Sequence, residues 1–156
     1  MGGEQVFQMV PAEVRTWWIN VLFVGLAVSL LAVMLFVRQM VENVSKASFA
    51  VDGRTLEIRA WPYGRRVALS ELDLDAARVV DLTREREIGL RWKTNGVNMS
   101  GLRGGWWRLR NGQKALVFVT DMTRAVYLPT REGYALVMSV ADPDRFLAAL
   151  GARPGA

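Results

Sequence analysis

The chain contains neither cysteine nor histidine among its 156 residues. Without cysteine there is no disulfide, and no thiolate is available as a nucleophile or a metal ligand. Without histidine there is no serine–histidine triad, no histidine-based zinc site and no imidazole acid–base chemistry. The sequence offers no other constellation of residues for catalysis either, so we expect no catalytic, metal or cofactor site.

Acidic residues are the minority among the charged side chains. The chain has 15 Asp and Glu against 20 Lys and Arg, which gives a formal net charge of +5. A basic protein favours anionic partners, which include acidic lipid headgroups, nucleic acid and acidic protein surfaces. The charge alone does not choose among these three classes.

Charge is missing altogether from residues 17–37, which read WWINVLFVGLAVSLLAVMLFV. As a helix this stretch is roughly 31 Å long, about the thickness of the hydrocarbon core of a bilayer. Such a run is longer than the apolar core of a cleaved signal peptide. The sequence therefore predicts one transmembrane helix, with Trp17 and Trp18 at one membrane interface and Arg38 at the other.

Basic residues flank the apolar run unequally. Arg15 precedes it, whereas Arg38, Lys46 and Arg54 follow it. Because basic flanks tend to stay in the cytoplasm, the count predicts that the C-terminal domain of this single-pass protein is cytoplasmic. The difference is small, so the opposite orientation stays open.

Gly25 and Ser29 form a small-xxx-small pair inside the apolar run. Small residues at this spacing let two helices approach closely in lipid. The pair is a candidate contact for a homo-oligomer or for another membrane helix. Membrane lipid and another membrane protein or complex are the expected partners, and no nucleic acid is expected for a tethered chain.

The chain is predicted to have three parts. Residues 1–46 form a tail and the membrane helix with a short extension, residues 47–151 form a β domain with a C-terminal helix, and residues 152–156 form a frayed tail. Pro11 followed by Glu13 is typical of a helix start. Asp142 and Pro143 predict the start of the C-terminal helix, and Gly151 predicts its end.

The β domain is indicated by alternating apolar residues and by regularly spaced turns. Asp-Gly or Asn-Gly pairs predict turns at residues 52–53, 95–96 and 111–112, and glycine predicts a flexible loop at 101–105. Residues 114–120 and 134–140 are apolar on both faces, which is typical of central strands. Seven to nine short strands followed by one helix predict an α+β fold, a small barrel or rolled sheet.

Residues 91–150 contain three segments that together resemble a known family: GLRGGWWRLRNGQKALVFVTD, YLPTREGYALVMS and DPDRFLAAL. They are similar to the bacterial pleckstrin-homology-like (PH-like) domains that follow membrane helices, and the resemblance extends over residues 49–150. It implies a PH-like domain that binds rather than catalyses. That family carries no established catalytic residues, so none is transferred.

The run from Trp106 to Arg110 is the strongest candidate for a binding surface. On a strand, Trp106, Arg108 and Arg110 share one face, and Trp107 and Leu109 share the other. We expect one tryptophan in the core and the other beside two guanidinium groups. The expected site binds a headgroup or a partner, with Trp106 in the interface and the arginines on phosphate. The predicted partner or lipid surface consists of Trp106, Arg108, Arg110, Arg91, Lys93, Arg103 and Lys114.

These observations favour a PH-like scaffold or binding module anchored in the bacterial inner membrane, an accessory subunit that engages a membrane protein partner. Two alternatives stay open. One is a module that binds anionic lipid through the same surface. The other is a subunit of a lipid or cell-envelope enzyme, whose chemistry would rest on groups such as Asp121 or Tyr134.

Overall fold

The computed structural model describes Glu13 and residues 15–151. The helix start predicted at Pro11 and the frayed tail predicted at residues 152–156 lie outside the described part. The described chain has one long helix, nine strands, a 3-10 helical turn at Leu69–Glu71 and a short C-terminal helix. By contacts the chain divides into two compact units, Met1–Val37 and Arg38–Ala156.

Helix α1, Trp17–Ser45, is long and apolar enough to cross a membrane, and it is the one such helix in the described residues. It begins at Trp17, and Glu13 and Thr16 before it are not helical. Trp17 and Trp18 are exposed at its start. The hydroxyl of Ser29 donates to the carbonyl oxygen of Gly25 at 2.8 Å, so this polar group is satisfied within the helix.

The strands of the second unit form two sheets. A three-stranded antiparallel sheet has the order β1-β2-β3, with β1 at Ser48–Val51, β2 at Thr55–Arg59 and β3 at Arg65–Ala68. A six-stranded sheet has the order β4-β8-β9-β7-β6-β5. Its strands are β4 (Arg78–Val80), β5 (Leu90–Met99), β6 (Leu102–Leu109), β7 (Lys114–Val119), β8 (Ala125–Pro129) and β9 (Tyr134–Met138).

The two segments that are apolar on both faces, β7 and β9, lie side by side in the middle of the six-stranded sheet. They pair in parallel, and every residue of β9 is buried. Leu116 and Leu136 on one face pack in the same core as Leu56 of the three-stranded sheet. This arrangement confirms the α+β class, with two open sheets that form a rolled sheet rather than a closed barrel.

The opposite face of the six-stranded sheet is covered by the connection between β4 and β5. Those strands are at opposite edges of the sheet, so the connection crosses the sheet. It brings Leu82 and Ile88 into a second apolar cluster with Trp107 and Val117. The central strands are therefore buried on both faces, which explains why they lack polar alternation.

Helix α2, Pro143–Ala149, begins as the sequence predicts. The carboxylate of Asp142 accepts a hydrogen bond from the backbone N–H of Arg145, and Pro143 occupies the first turn. Leu147 and Leu150 are buried in the core between the sheets. The helix is thus fixed at one end by its cap and along one side by apolar packing.

Two turn predictions are wrong. Residues 95–96 are not a turn and residues 101–105 are not a loop, because β5 and β6 form one hairpin that turns at Ser100 and Gly101. Within it Gly96 lies opposite Gly105. A side chain at Gly96 would overlap the backbone of the facing strand. These glycines therefore allow two strands to approach closely and do not indicate a flexible loop.

A third glycine, Gly104, makes room for the last turns of α1. A Cβ at this position would overlap Cγ1 of Val44, which is 2 % exposed. We expect Gly104→Ala to lower the free energy of unfolding by about 1–3 kcal/mol through overpacking. Adding Val44→Ala should recover about 1 kcal/mol relative to the sum of the single changes. Chemical unfolding of the full chain in detergent measures this, and additive effects would contradict the contact.

Candidate binding surface

A row of basic and aromatic side chains crosses the six-stranded sheet where β6 ends and where β7 and β9 begin. Trp92 on β5 is paired with Arg108 on β6, Arg108 with Lys114 on β7, and Lys114 with Tyr134 on β9. Directly paired residues project from the same face of a sheet. The four side chains therefore lie in one row on the face that also packs against the three-stranded sheet.

Trp106 lies one row further into the sheet and contacts two cations. The Nζ atom of Lys114 is 4.2 Å from the centre of its ring, and Cζ of Arg65 is 5.2 Å from it. Arg65 comes from β3, and it also lies 5.3 Å from the ring centre of Tyr134. The rings of Trp106 and Tyr134 meet edge to face at 5.6 Å. The aromatic faces therefore hold both cations in place.

Two further arginines complete the group. The guanidinium of Arg91 lies 4.4 Å from the ring centre of Trp92, which is 48 % exposed. Arg108 is held by a hydrogen bond from its Nη1 to the carbonyl oxygen of Gly112 at 2.8 Å. We call the whole set the basic aromatic surface. It consists of Arg65, Arg91, Trp92, Trp106, Arg108, Lys114 and Tyr134.

The four cations of the basic aromatic surface form no ion pair with any described residue. By contrast, Arg59 and Arg66 on the three-stranded sheet do have an acidic partner, because both bind the carboxylate of Glu57. Their hydrogen bonds, first that of Arg59 and then that of Arg66, lower the pKa of Glu57. Arg59 and Arg66 thus share one carboxylate, whereas the four cations of the basic aromatic surface have no acidic partner among the described residues.

Tyr63 and Asn95 lie beside this surface. The hydroxyl of Tyr63 donates to Oδ1 of Asn95 at 3.1 Å, and its partial burial raises the pKa of the phenol. Tyr63 therefore stays neutral at physiological pH and contributes a ring and a dipole, not a charge.

The structure brings together four of the seven residues predicted for the surface: Trp106, Arg108, Lys114 and Arg91. Lys93 is paired with Trp107 and Arg103 with Val119, so both project from the opposite face of the sheet. Arg110 follows the end of β6, and its side chain packs against Gly89. The latter three residues do not belong to the surface.

Sequence reasoning missed Arg65, Trp92 and Tyr134. Trp92 adjoins a predicted surface residue, so the Arg-Trp pair was a local signal that could have found it. Arg65 gave no such signal, because its contact with Trp106 joins residues of two different sheets. Trp107 is 4 % exposed, and its Nε1 has no hydrogen-bond partner among the described residues.

The residues considered for an enzyme do not form a site. Tyr134 lies at the start of β9, opposite Lys114, whereas Asp121 follows the far end of β7. The hydroxyl of Thr123 and its backbone N–H donate to Asp121 and lower the pKa of its carboxyl. Within the described residues no cluster of three or more acidic groups could hold a metal ion.

Comparison with known families identifies the second unit. The family model described as Bacterial PH domain matches residues 47–153, which is most of the chain. No curated protein matches the chain. No solved structure matches it either.

Proposed function

This chain belongs to the bacterial PH domain family, and from that premise we propose that it is a single-pass, membrane-anchored binding module. Its role is that of an accessory subunit that holds an acidic segment of a membrane protein partner. The proposed setting is the bacterial inner membrane, with the PH domain in the cytoplasm. The basic aromatic surface is the observation that carries this proposal.

Four uncompensated cations on one surface attract an anionic partner. Three of them, Arg65, Arg91 and Lys114, lie against aromatic rings, so their side chains lose little further freedom when a carboxylate binds. Arginine can also bind a carboxylate through two parallel hydrogen bonds. The arrangement is therefore suited to holding acidic side chains in a defined position.

An acidic protein segment fits this surface better than a lipid headgroup does. Trp106 is only partly exposed and contacts two cations, so its ring is not available to enter lipid. The helix α1 already supplies affinity for a membrane, and lipid binding would add little to a tethered domain. Binding of a membrane protein partner would be strengthened by the anchor. Both proteins are then confined to one membrane, which raises the effective concentration of the partner near the domain.

Charge reversal on the surface tests the proposal. We expect Arg108→Glu combined with Lys114→Glu to reduce co-purification of a stoichiometric subunit at least tenfold, since the change replaces attraction by repulsion. The full chain is purified from native membranes in mild detergent, and the subunit ratio is measured. The matched control is Arg84→Glu with Arg86→Glu, the same charge change on the exposed connection between β4 and β5. A monodisperse wild-type chain with no subunit would refute the partner.

Anionic lipid is the second candidate ligand of the same surface. Trp92 beside Arg91 supports it, because an exposed indole next to a guanidinium suits the headgroup level of a bilayer. Mass spectrometry of the lipids in the same preparations separates the two. Loss of anionic phospholipid from the charge-reversed chain, without loss of a subunit, would favour lipid.

A further inference from the structure

Strand β1 is an edge strand without a charged residue. The two sheets have four edge strands, β1, β3, β4 and β5. Three of these carry arginine or lysine, whereas β1 reads Ser-Phe-Ala-Val. Charged residues on an edge hinder pairing with another chain. Of the described edges, β1 is therefore the one that is open to an added strand.

The free backbone groups of this edge can be assigned from the hairpin that joins β1 to β2. The N–H of Asp52 donates to the carbonyl oxygen of Thr55, and hydrogen-bonded pairs then alternate along an antiparallel ladder. Ala50 is thus bonded to β2, whereas the N–H and C=O groups of Phe49 and Val51 point away from it. These groups have no partner among the described residues.

A groove of about 490 Å³ lies along this edge. Phe49 and Val51 line one side, and Val140, Phe146 and Ala149 line the other. The ring of Phe49 meets those of Phe118 and Phe146 edge to face, with centres 6.0 and 6.3 Å apart. The apolar lining is therefore fixed by packing on both the sheet and α2.

The opposite wall of the groove is held by the segment that links β9 to α2. The hydroxyl of Ser139 donates to the carbonyl oxygen of Asp121 at 3.1 Å and accepts the N–H of Thr120 at 3.2 Å. These bonds fix the start of the linking segment to the turn after β7. The groove is therefore formed before any ligand arrives, which reduces the entropic cost of binding.

One cation at this groove is unpaired. Arg145 is exposed and forms no ion pair with a described residue, whereas Arg124, in the turn before β8, is bound to Asp144 at 3.0 Å. The carboxylate of Asp142 is engaged by the N–H of Arg145 at the start of α2. An occupant of the groove is therefore expected to carry a carboxylate that faces Arg145.

We propose that the β1 edge is a docking site for an extended segment of a partner protein. The segment adds as a strand beside β1, bonds the free groups of Phe49 and Val51, and places alternate apolar side chains in the groove. An acidic residue of the segment pairs with Arg145. Strand β3 contributes Arg65 to the basic aromatic surface, and β1 is the opposite edge of the same sheet. The two sites are therefore separate, and the proposal for one does not depend on the proposal for the other.

Amide hydrogen exchange of the full chain in detergent micelles tests the site. The probe is a capped heptapeptide of alternating valine and threonine with one central glutamate. We expect saturating peptide to slow exchange at Phe49 and Val51 at least tenfold. Val51→Pro removes an outward donor but no bond to β2, and should weaken binding at least tenfold. Val51→Thr keeps the donor and is the matched control.

The carboxylate contact is tested with the same peptide. Arg145→Gln should weaken binding several-fold, and replacing the glutamate of the peptide by glutamine should abolish that difference. These two measurements remain informative if Val51→Pro fails to fold. Protection at Trp106 instead of β1, no protection at all, or protection that rises with protein concentration without peptide would each overturn the proposal, the last by indicating a second copy.

Discussion

Two arginines in the middle of α1, Leu26→Arg with Leu30→Arg, are expected to release the protein from the membrane fraction. Both leucines lie in the uncharged run and are more than half exposed, at 52 % and 61 %. Each arginine at the centre of a membrane helix costs about 2.5–3.5 kcal/mol in insertion experiments. Together they should cost about 6 kcal/mol, enough to reverse insertion of this helix.

The measurement is the distribution of the chain between membrane and soluble fractions, with a carbonate wash. The control places the same two charges beyond the apolar run, as Gln39→Arg with Ser45→Arg. Both positions are exposed in the last turns of α1. The control should stay in the membrane. If the Leu26 and Leu30 variant also stays there, residues 17–37 are not the anchor.

Gly105→Ala is expected to destabilise the PH domain strongly. The glycine has φ +95°, and an added Cβ would lie 2.5 Å from the carbonyl oxygen of Asn95 and 2.6 Å from Cα of Gly96. Backbone strain and overpacking then act together, at roughly 1–3 kcal/mol each. We expect the free energy of unfolding to fall by about 3 kcal/mol or more.

Gly112→Ala separates the two causes. Gly112 has φ +84°, but no atom lies within 4 Å of its added Cβ. In this variant the free energy of unfolding should fall only by the contribution of backbone strain, about 1 kcal/mol. Thermal unfolding of the full chain in detergent compares the two. Equal losses would contradict the close approach of β5 and β6 at Gly105.

The pairing of β5 with β6 near Gly105 also positions side chains of the basic aromatic surface. Trp106 follows Gly105 directly, and the carbonyl oxygen of Trp106 accepts the hydroxyl of Thr94 at 2.9 Å. The pairing of β5 with β6 shifts register beside Trp92 and again beside Asn95. Such irregularities re-aim side chains. They account for Arg91 and Trp92, neighbours in sequence, meeting face to face.

Local patterns located most of the elements. The central strands β7 and β9 were predicted from apolar residues on both faces. The start of α2 followed from the cap at Asp142. Each of these signals lies within a few residues of the feature it predicts. Glycine was the exception, because a loop and a close approach of strands require the same residue.

The sequence by itself determined the apolar helix, the α+β class, the bacterial PH domain family and the separation of Trp106 from Trp107. Period and composition suffice for the helix, the fold class and the two tryptophans, since they are properties of neighbouring residues, whereas the family followed from the resemblance of residues 49–150 to bacterial PH-like domains. Only the tertiary structure decided which cations share a surface. Sheet pairing placed Lys114 beside Arg108 and turned Lys93 away, and the packing of the two sheets brought Arg65 onto Trp106. Contacts between distant segments depend on register and on sheet packing, which no local pattern encodes.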